Sequence, residues 1–152
     1  LKGYDYSLPG VYFVTICAQR RGDIFGTIPD GIMHLNDVGR MIEYWWAELP
    51  HKYPWLTLDT SITMPDHLHG ILFFGEHTDT RQTTLGNVIG WLKTMTTNAY
   101  LRGIRAYGWE PYDRHFWQRD YFDRIIRNEA HLNATRRYIA ENPARAFARN
   151  TK

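Results

Sequence analysis

The chain has 152 residues, of which 43% are hydrophobic and 15% aromatic, a composition that argues against global disorder and predicts one domain over residues 1–152. The single cysteine, Cys17, excludes an internal disulfide and fits a reducing compartment. No apolar run approaches the ~20 residues of a membrane span, and no signal peptide is visible. We therefore expect a cytoplasmic protein without a membrane partner.

Charge is distributed unevenly along the chain, although the formal net charge is only +2. Residues 1–80 carry 5 Lys/Arg and 10 Asp/Glu, whereas residues 81–152 carry 13 Lys/Arg and 6 Asp/Glu. The basic half is interleaved with tryptophans and tyrosines, which suits a phosphate backbone with unstacked bases. A solvated basic face over an aromatic core explains the same pattern, so charge alone leaves both interpretations open.

The predicted elements alternate between strands and helices. In chain order they are a strand over 11–17, a loop or small hairpin over 25–35, a helix from Asn36 or Asp37 to about Leu49, a strand over 56–64, a strand over 67–74, a helix from Thr83 or Thr84 to about Leu101, a turn-rich stretch over 103–113, a short strand at 116–117, and helices over 120–127 and 130–142, the last ended by Pro143. This order predicts an α+β fold with helices packed on a central antiparallel sheet.

A triplet, His67-Leu68-His69, opens one of the predicted strands. Side chains two residues apart on a strand lie on the same face, so both imidazoles would point one way while Leu68 enters the core. Two neutral imidazoles side by side form half of a divalent-metal site. The triplet alone is weak evidence, because either histidine could be an ordinary surface or core residue. The neighbouring Asp66 is interpreted as a turn residue. The alternative is that it binds the metal through a water molecule.

Tyr138 and Asn142 lie four residues apart and share one face of the last predicted helix. That face is small and polar, whereas a core tyrosine would lie on the apolar stripe with Leu132 and Ile139. A half-buried tyrosine with its hydroxyl in water remains the alternative. The rival nucleophile is Tyr121, which has no amide or carboxylate four residues on.

Together these residues predict a metal-dependent active site for phosphodiester chemistry. His67, His69 and the Asn142 amide could hold Mg²⁺ or Mn²⁺, which would polarise a phosphodiester. Tyr138 would attack phosphorus and form a covalent phosphotyrosine, which permits rejoining. His115 and His131 have no partner histidine at ligand spacing, so they are not expected to bind the metal.

The motifs resemble those of the histidine–hydrophobic–histidine (HUH) nucleases, and within them the REP-associated tyrosine transposases. Residues 64–70 (MPDHLHG) match the histidine motif and residues 138–143 (YIAENP) the tyrosine motif. Three more blocks match in order, at 3–6, at 12–17 and across 117–129. The resemblance implies a ferredoxin-like (RRM-like) architecture, with Tyr138 as nucleophile, His67 and His69 as ligands, and a third ligand one turn after the tyrosine. Insertion-sequence relatives often carry the longer glutamine where this chain has Asn142.

The resemblance also implies single-stranded or hairpin DNA of the REP type as the partner. The N-terminal segment and the loop at 19–22 are expected to read a guide sequence, and basic residues are expected to bind phosphates. The candidate DNA-binding residues are Tyr4, Tyr6, Arg20, Arg21, Lys93, Arg119, Arg124, Arg127 and Arg137.

Two other functions remain open on the sequence. A metal-dependent phosphodiester hydrolase would use activated water in place of the tyrosine, and only Asp66 supplies a carboxylate beside the histidines. A binding module would keep hairpin recognition without catalysis, although all three catalytic residue types are present. Whether the protein acts as a monomer or a homodimer is also open.

Overall fold

The fold is built on a four-stranded antiparallel sheet with helices on both faces. A computed structural model describes residues 10–76 and 84–150. Its elements are β1 (Gly10–Cys17), β2 (Gly26–Thr27), β3 (His34–Leu35), α1 (Asp37–Ala47), α2 (Leu49–Lys52), β4 (Leu56–Thr63), β5 (His67–Phe74), α3 (Leu85–Tyr107), β6 (Phe122–Ile126) and α4 (Glu129–Asn150).

The sheet order is β4-β5-β1-β6, with every neighbouring pair antiparallel. The expected α+β class is therefore confirmed, as are the strands predicted around β1, β4 and β5. The predicted small hairpin is the β2–β3 pair, and the predicted short strand at 116–117 is a single bridge between Ala18 and Trp117.

Alternation along β1 divides the core into two layers. Tyr12, Val14 and Ile16 are fully buried in the larger cluster, which also contains the apolar faces of α1 and α3. Val11 and Phe13 point the other way and pack against the smaller cluster, whose centre includes Ile139 of α4. The face beneath α4 is therefore thinly covered, and it is the face that carries both histidines of β5.

Capping residues begin two of the helices at their predicted positions. The Asn36 side chain accepts a hydrogen bond from the Gly39 N–H at 2.9 Å. The Thr84 hydroxyl accepts one from the Asn87 N–H at 3.1 Å. The second helix, α3, continues to Tyr107 rather than ending near Leu101. The turn-rich stretch therefore begins after Tyr107 rather than at residue 103.

The helix predicted over 120–127 is wrong, because this segment forms the edge strand β6. It pairs with β1 from Val11↔Ile126 to Thr15↔Phe122. Its side chains alternate, so that Phe122 and Arg124 face the α4 side of the sheet. Without β6 this edge of β1 would be unpaired. The backbone hydrogen bonds that it offers outweigh the local helical pattern.

The prediction that Pro143 ends the last helix is also wrong, because α4 continues to Asn150. A proline inside a helix loses one backbone hydrogen bond and crowds the preceding turn. Here Asn142 and Pro143 are both buried, and Ala144 and Phe147 lie close to Gly31 in the loop between β2 and β3. Packing on both sides of the proline therefore holds the helix together across it.

An ion pair connects α4 to the edge strand β4. Arg136 donates through Nε and Nη2 to the two carboxylate oxygens of Asp59, at 2.8 and 2.7 Å. This fork lowers the pKa of Asp59 to about 2. None of the described helices combines the length and apolarity needed to cross a bilayer.

Candidate active site

The two histidines of the triplet lie on the α4 face of the sheet, as the alternation predicts. Their ring centroids are 4.7 Å apart, and Leu68 between them is buried in the opposite layer. The next residue, Gly70, lies against the indole of Trp46, and a Cβ at this position would collide with that ring. Close packing of α1 on β5 therefore requires glycine immediately after the histidine pair.

Each imidazole is held through its Nδ1 atom. His67 Nδ1–H donates to Asp66 Oδ1 at 2.8 Å, and His69 Nδ1 lies 2.8 Å from Thr15 Oγ1 on the neighbouring strand. In the tautomer with hydrogen on Nδ1, each ring keeps its Nε2 lone pair for another partner. Metal-binding histidines are commonly oriented in this way, by donating the second ring N–H to an oxygen acceptor such as a carboxylate.

Burial keeps the His69 ring neutral. His69 is only 5% exposed, and this burial, followed by the charges of His67 and Arg145, lowers its pKa to about 3. A neutral imidazole offers a lone pair at physiological pH, as a metal ligand must.

Asp66 connects the histidine pair to the loop that follows β1. Its Oδ2 accepts from the Gly22 N–H at 3.1 Å and from Arg21 Nε at 3.1 Å. Gly22 adopts φ +116°, a backbone conformation that residues other than glycine rarely adopt. Burial opposes ionisation of Asp66, but the bonds from His67 and Gly22 outweigh it and lower its pKa. Asp66 does lie in the turn, as predicted, and its side chain also orients His67.

Tyr138 lies over this face from α4. Its ring centroid is 5.7 Å from that of His69 and 6.1 Å from that of Phe13. The side chain is 45% exposed, so it contacts the histidine layer while remaining open to a substrate. Asn142 lies one turn further along the same helix and is buried.

The structure adds a residue that the sequence analysis missed, Arg145. Its guanidinium carbon lies 4.4 Å from the centroid of the Tyr138 ring, and Nη2 donates to the Tyr138 carbonyl at 2.6 Å. The seven-residue spacing from Tyr138 corresponds to two helical turns and is the sequence signal for this contact. The contact requires a helix that continues past Pro143, as α4 does.

The rival tyrosine is placed elsewhere. Tyr121 packs against the larger core, with its ring 5.8 Å from the Lys93 ammonium. It precedes the strand β6 rather than a helix. Burial, with a smaller contribution from Asp123, raises the pKa of Tyr121 and makes its phenolate harder to form.

The model of a known family matches residues 39–142, a segment that contains both histidines, Tyr138 and Asn142. Its description is "Transposase IS200 like". The chain belongs to the family of IS200-like transposases. An uncharacterised protein of Haemophilus influenzae strain Rd is 29% identical over 160 residues, covering 94% of this chain and 85% of its own length.

Two solved structures share the IS200-like transposase fold. One, described as a REP-associated tyrosine transposase bound to a REP hairpin, superposes with a TM-score of 0.70 at 17% identity, covering 96% of this chain and 74% of that one. The other, a putative transposase of Deinococcus radiodurans R1, has a TM-score of 0.55 at 18% identity, covering 94% and 97%. At these identities the likeness establishes the fold.

In this member of the family a crevice lies between the sheet edge and α4, beside Tyr138. It has a volume of about 360 Å³ and is lined by Phe13, Arg124, His131, Ala134, Thr135 and Tyr138. Arg124 and His131 therefore lie beside the candidate nucleophile. His115 instead lines a separate cleft of about 390 Å³ with Lys93 and Arg119.

The other predicted DNA-binding residues are dispersed. Arg20 pairs with Glu110 at 2.9 Å, and Lys93 donates to the carbonyls of Gln118 and Arg119 at 2.9 and 3.0 Å. Arg127 and Arg137 are exposed. The candidates Tyr4 and Tyr6 lie outside the described residues. The structure thus brings Arg21, through Asp66, and Arg124 close to the site, whereas Arg20, Lys93 and Arg119 belong to other surfaces.

Proposed function

We propose that this chain cleaves and rejoins single-stranded or hairpin DNA through a covalent phosphotyrosine, with Tyr138 as the nucleophile. The observation that carries the proposal is the contact between the half-exposed Tyr138 ring and His69, next to His67. A nucleophile that is open to substrate and adjoins two oriented imidazoles suits attack on a metal-bound phosphodiester.

The residues present fit a divalent metal ion held by His67, His69 and Asn142. Both imidazoles are oriented through Nδ1, and Asn142 is buried one turn beyond Tyr138. Two nitrogens and one amide oxygen suit Mn²⁺ better than Mg²⁺, which prefers oxygen ligands. When bound, the ion would polarise the scissile phosphate and offset the charge that develops on its oxygens.

The proposed covalent step exchanges one phosphodiester for another. The phenolic oxygen of Tyr138 forms a bond to phosphorus, and the bond between phosphorus and the 3′ oxygen breaks. The phenolic proton is released, and the departing 3′ oxygen takes up a proton. The products are a 5′-phosphotyrosine and a free 3′ hydroxyl. Attack by a 3′ hydroxyl on the same phosphorus reverses the step and rejoins DNA without an added energy source.

The crevice beside Tyr138 offers a path for the strand. Phe13 supplies an aromatic surface, and Arg124 supplies a cation for a backbone phosphate. A strand free to bend would reach Tyr138 more readily than one held in a duplex. The relative that was solved with a REP hairpin motivates the choice of hairpin DNA as the substrate to test.

A metal-dependent hydrolase is the main competing function. It would need a base that activates water beside the histidines. The carboxylate of Asp66 accepts hydrogen bonds from His67, Gly22 and Arg21, which disfavours a second use as that base. In the described part of the chain, no group of three or more His, Cys, Asp or Glu side chains is arranged to hold a metal. The amide of Asn142 is therefore central to the proposal.

The test is incubation of the protein with hairpin DNA and Mn²⁺, followed by denaturing electrophoresis. Wild-type protein should form a covalent adduct, and Tyr138→Phe should not, because it lacks only the attacking oxygen. Tyr121→Phe is the matched control and should keep the adduct. Peptide mapping should place the nucleotide on Tyr138.

Each alternative has its own outcome in this experiment. Cleavage without adduct in wild-type protein would establish the hydrolase. Hairpin binding without cleavage would establish the binding module. Equal cleavage of a blunt duplex would contradict the proposed substrate class.

A further inference from the structure

Arg145 reaches back along α4 and covers the Tyr138 side chain. Besides its contact with the ring and its bond to the Tyr138 carbonyl, Nη1 donates to Glu141 Oε2 at 3.3 Å. Three contacts hold a long side chain in one place. Arginine is suited to this role, because its planar guanidinium stacks on an aromatic ring while its N–H groups donate in the same plane.

The Tyr138 ring has few other restraints. Phe13 and His69 contact it at steep angles, with interplanar angles of 88° and 67°, and 45% of the residue is exposed. An exposed aromatic side chain on a helix exchanges between rotamers on a fast time scale. In-line attack on phosphorus needs one orientation, and a misplacement of about 1 Å can cost ~100-fold in rate.

We propose that Arg145 is a positioning residue that holds the Tyr138 ring in the orientation from which its oxygen attacks. This inference rests on the proposed role of Tyr138 as nucleophile. The same ring lies 5.7 Å from that of His69, centroid to centroid. A tyrosine that Arg145 holds in place is therefore also held next to the histidine pair.

The first test needs neither DNA nor metal. 3-Fluorotyrosine placed at position 138 reports on the ring by ¹⁹F NMR. Arg145→Gln should shift and narrow the resonance, because the ring gains freedom. The matched control is Arg149→Gln, one turn further along α4 in its exposed last turn, and it should leave the resonance unchanged. A resonance that is the same in both variants would overturn the proposal.

The second test separates chemistry from binding. In single-turnover reactions on hairpin DNA with Mn²⁺, Arg145→Gln should slow adduct formation by about 10–100-fold, while the Kd for DNA changes less than about threefold. Arg145→Lys keeps the charge without the planar fork. Its rate of adduct formation should lie between those of wild type and Arg145→Gln. Guanidinium chloride at tens of millimolar should partly restore Arg145→Ala, and NaCl at equal ionic strength should not.

The outcomes separate the positioning role of Arg145 from the proposed role of Tyr138 as nucleophile. If Arg145→Gln weakens DNA binding and leaves the single-turnover rate intact, Arg145 is a phosphate contact and the positioning role is wrong. If wild-type protein forms no adduct, the proposed function fails, and the ¹⁹F spectra still decide whether Arg145 orders the ring.

Discussion

The ring of Tyr138 lies 5.7 Å from the ring of His69, centroid to centroid, within a single chain. One belongs to α4 and the other to β5, and Phe13 of β1 contacts both rings. The candidate nucleophile and the candidate ligands therefore meet without a second subunit.

We expect the active site to be complete in one chain. Mixing Tyr138→Phe protein with His69→Ala protein should give no adduct, because neither chain holds a whole site. Each variant should keep its far-UV circular dichroism spectrum. Adduct formation in the mixture, absent from either protein alone, would mean that α4 is exchanged between subunits.

The partners of the histidines should control metal affinity. Thr15→Val preserves shape but removes the hydroxyl next to His69 Nδ1, so Mn²⁺ should bind about 10–100-fold more weakly. His67→Ala should abolish binding and cleavage. Isothermal titration measures the Mn²⁺ affinity of both variants. Thr57→Val, at an exposed position of β4, is the matched control, and an equal loss there would contradict the assignment.

The ion pair between Asp59 and Arg136 should make stability depend on acid pH. The pKa of Asp59 is about 2 in the folded protein, against 3.8 for the free carboxyl. The pair therefore stabilises the fold above about pH 4, and this contribution is lost as pH falls towards 2. Asp59→Asn should lower the free energy of unfolding by about 1 kcal/mol near neutral pH.

Urea unfolding at several pH values checks this expectation. The difference between wild type and Asp59→Asn should shrink steadily as pH falls from 4 to 2. The double variant Asp59→Asn with Arg136→Gln should be little less stable than either single variant. A difference that stays constant with pH would show that the ion pair is not its source.

Glycine replacements should have opposite effects at two positions. Gly70→Ala places a methyl group against the Trp46 indole, so the protein should lose roughly 1–3 kcal/mol of stability. Gly90 is exposed within α3, and a methyl group added there would meet open space, with nothing within 4 Å. Gly90→Ala should therefore stabilise by roughly 0.5–1 kcal/mol. Denaturant midpoints measure both, and equal signs would contradict the proposed packing.

The residue pattern alone predicts several features of the site. A period of two places His67 and His69 on one face of a strand, and a period near four places Tyr138 and Asn142 on one side of a helix. Both relations depend only on local backbone geometry, which is why the structure reproduces the strand and helix that carry them. The capping residues Asn36 and Thr84 are local signals of the same kind.

Only the tertiary structure decides which elements meet. β6 is a strand because the edge of β1 offers it hydrogen-bond partners, and α4 passes Pro143 because both sides of the proline are packed. That continuation carries Arg145 back over Tyr138. The contacts of Thr15 with His69 and of Tyr138 with His69 join residues far apart in the chain. Short-range periodicity contains no information about such contacts, since strand register and helix docking are set by burial across the whole domain.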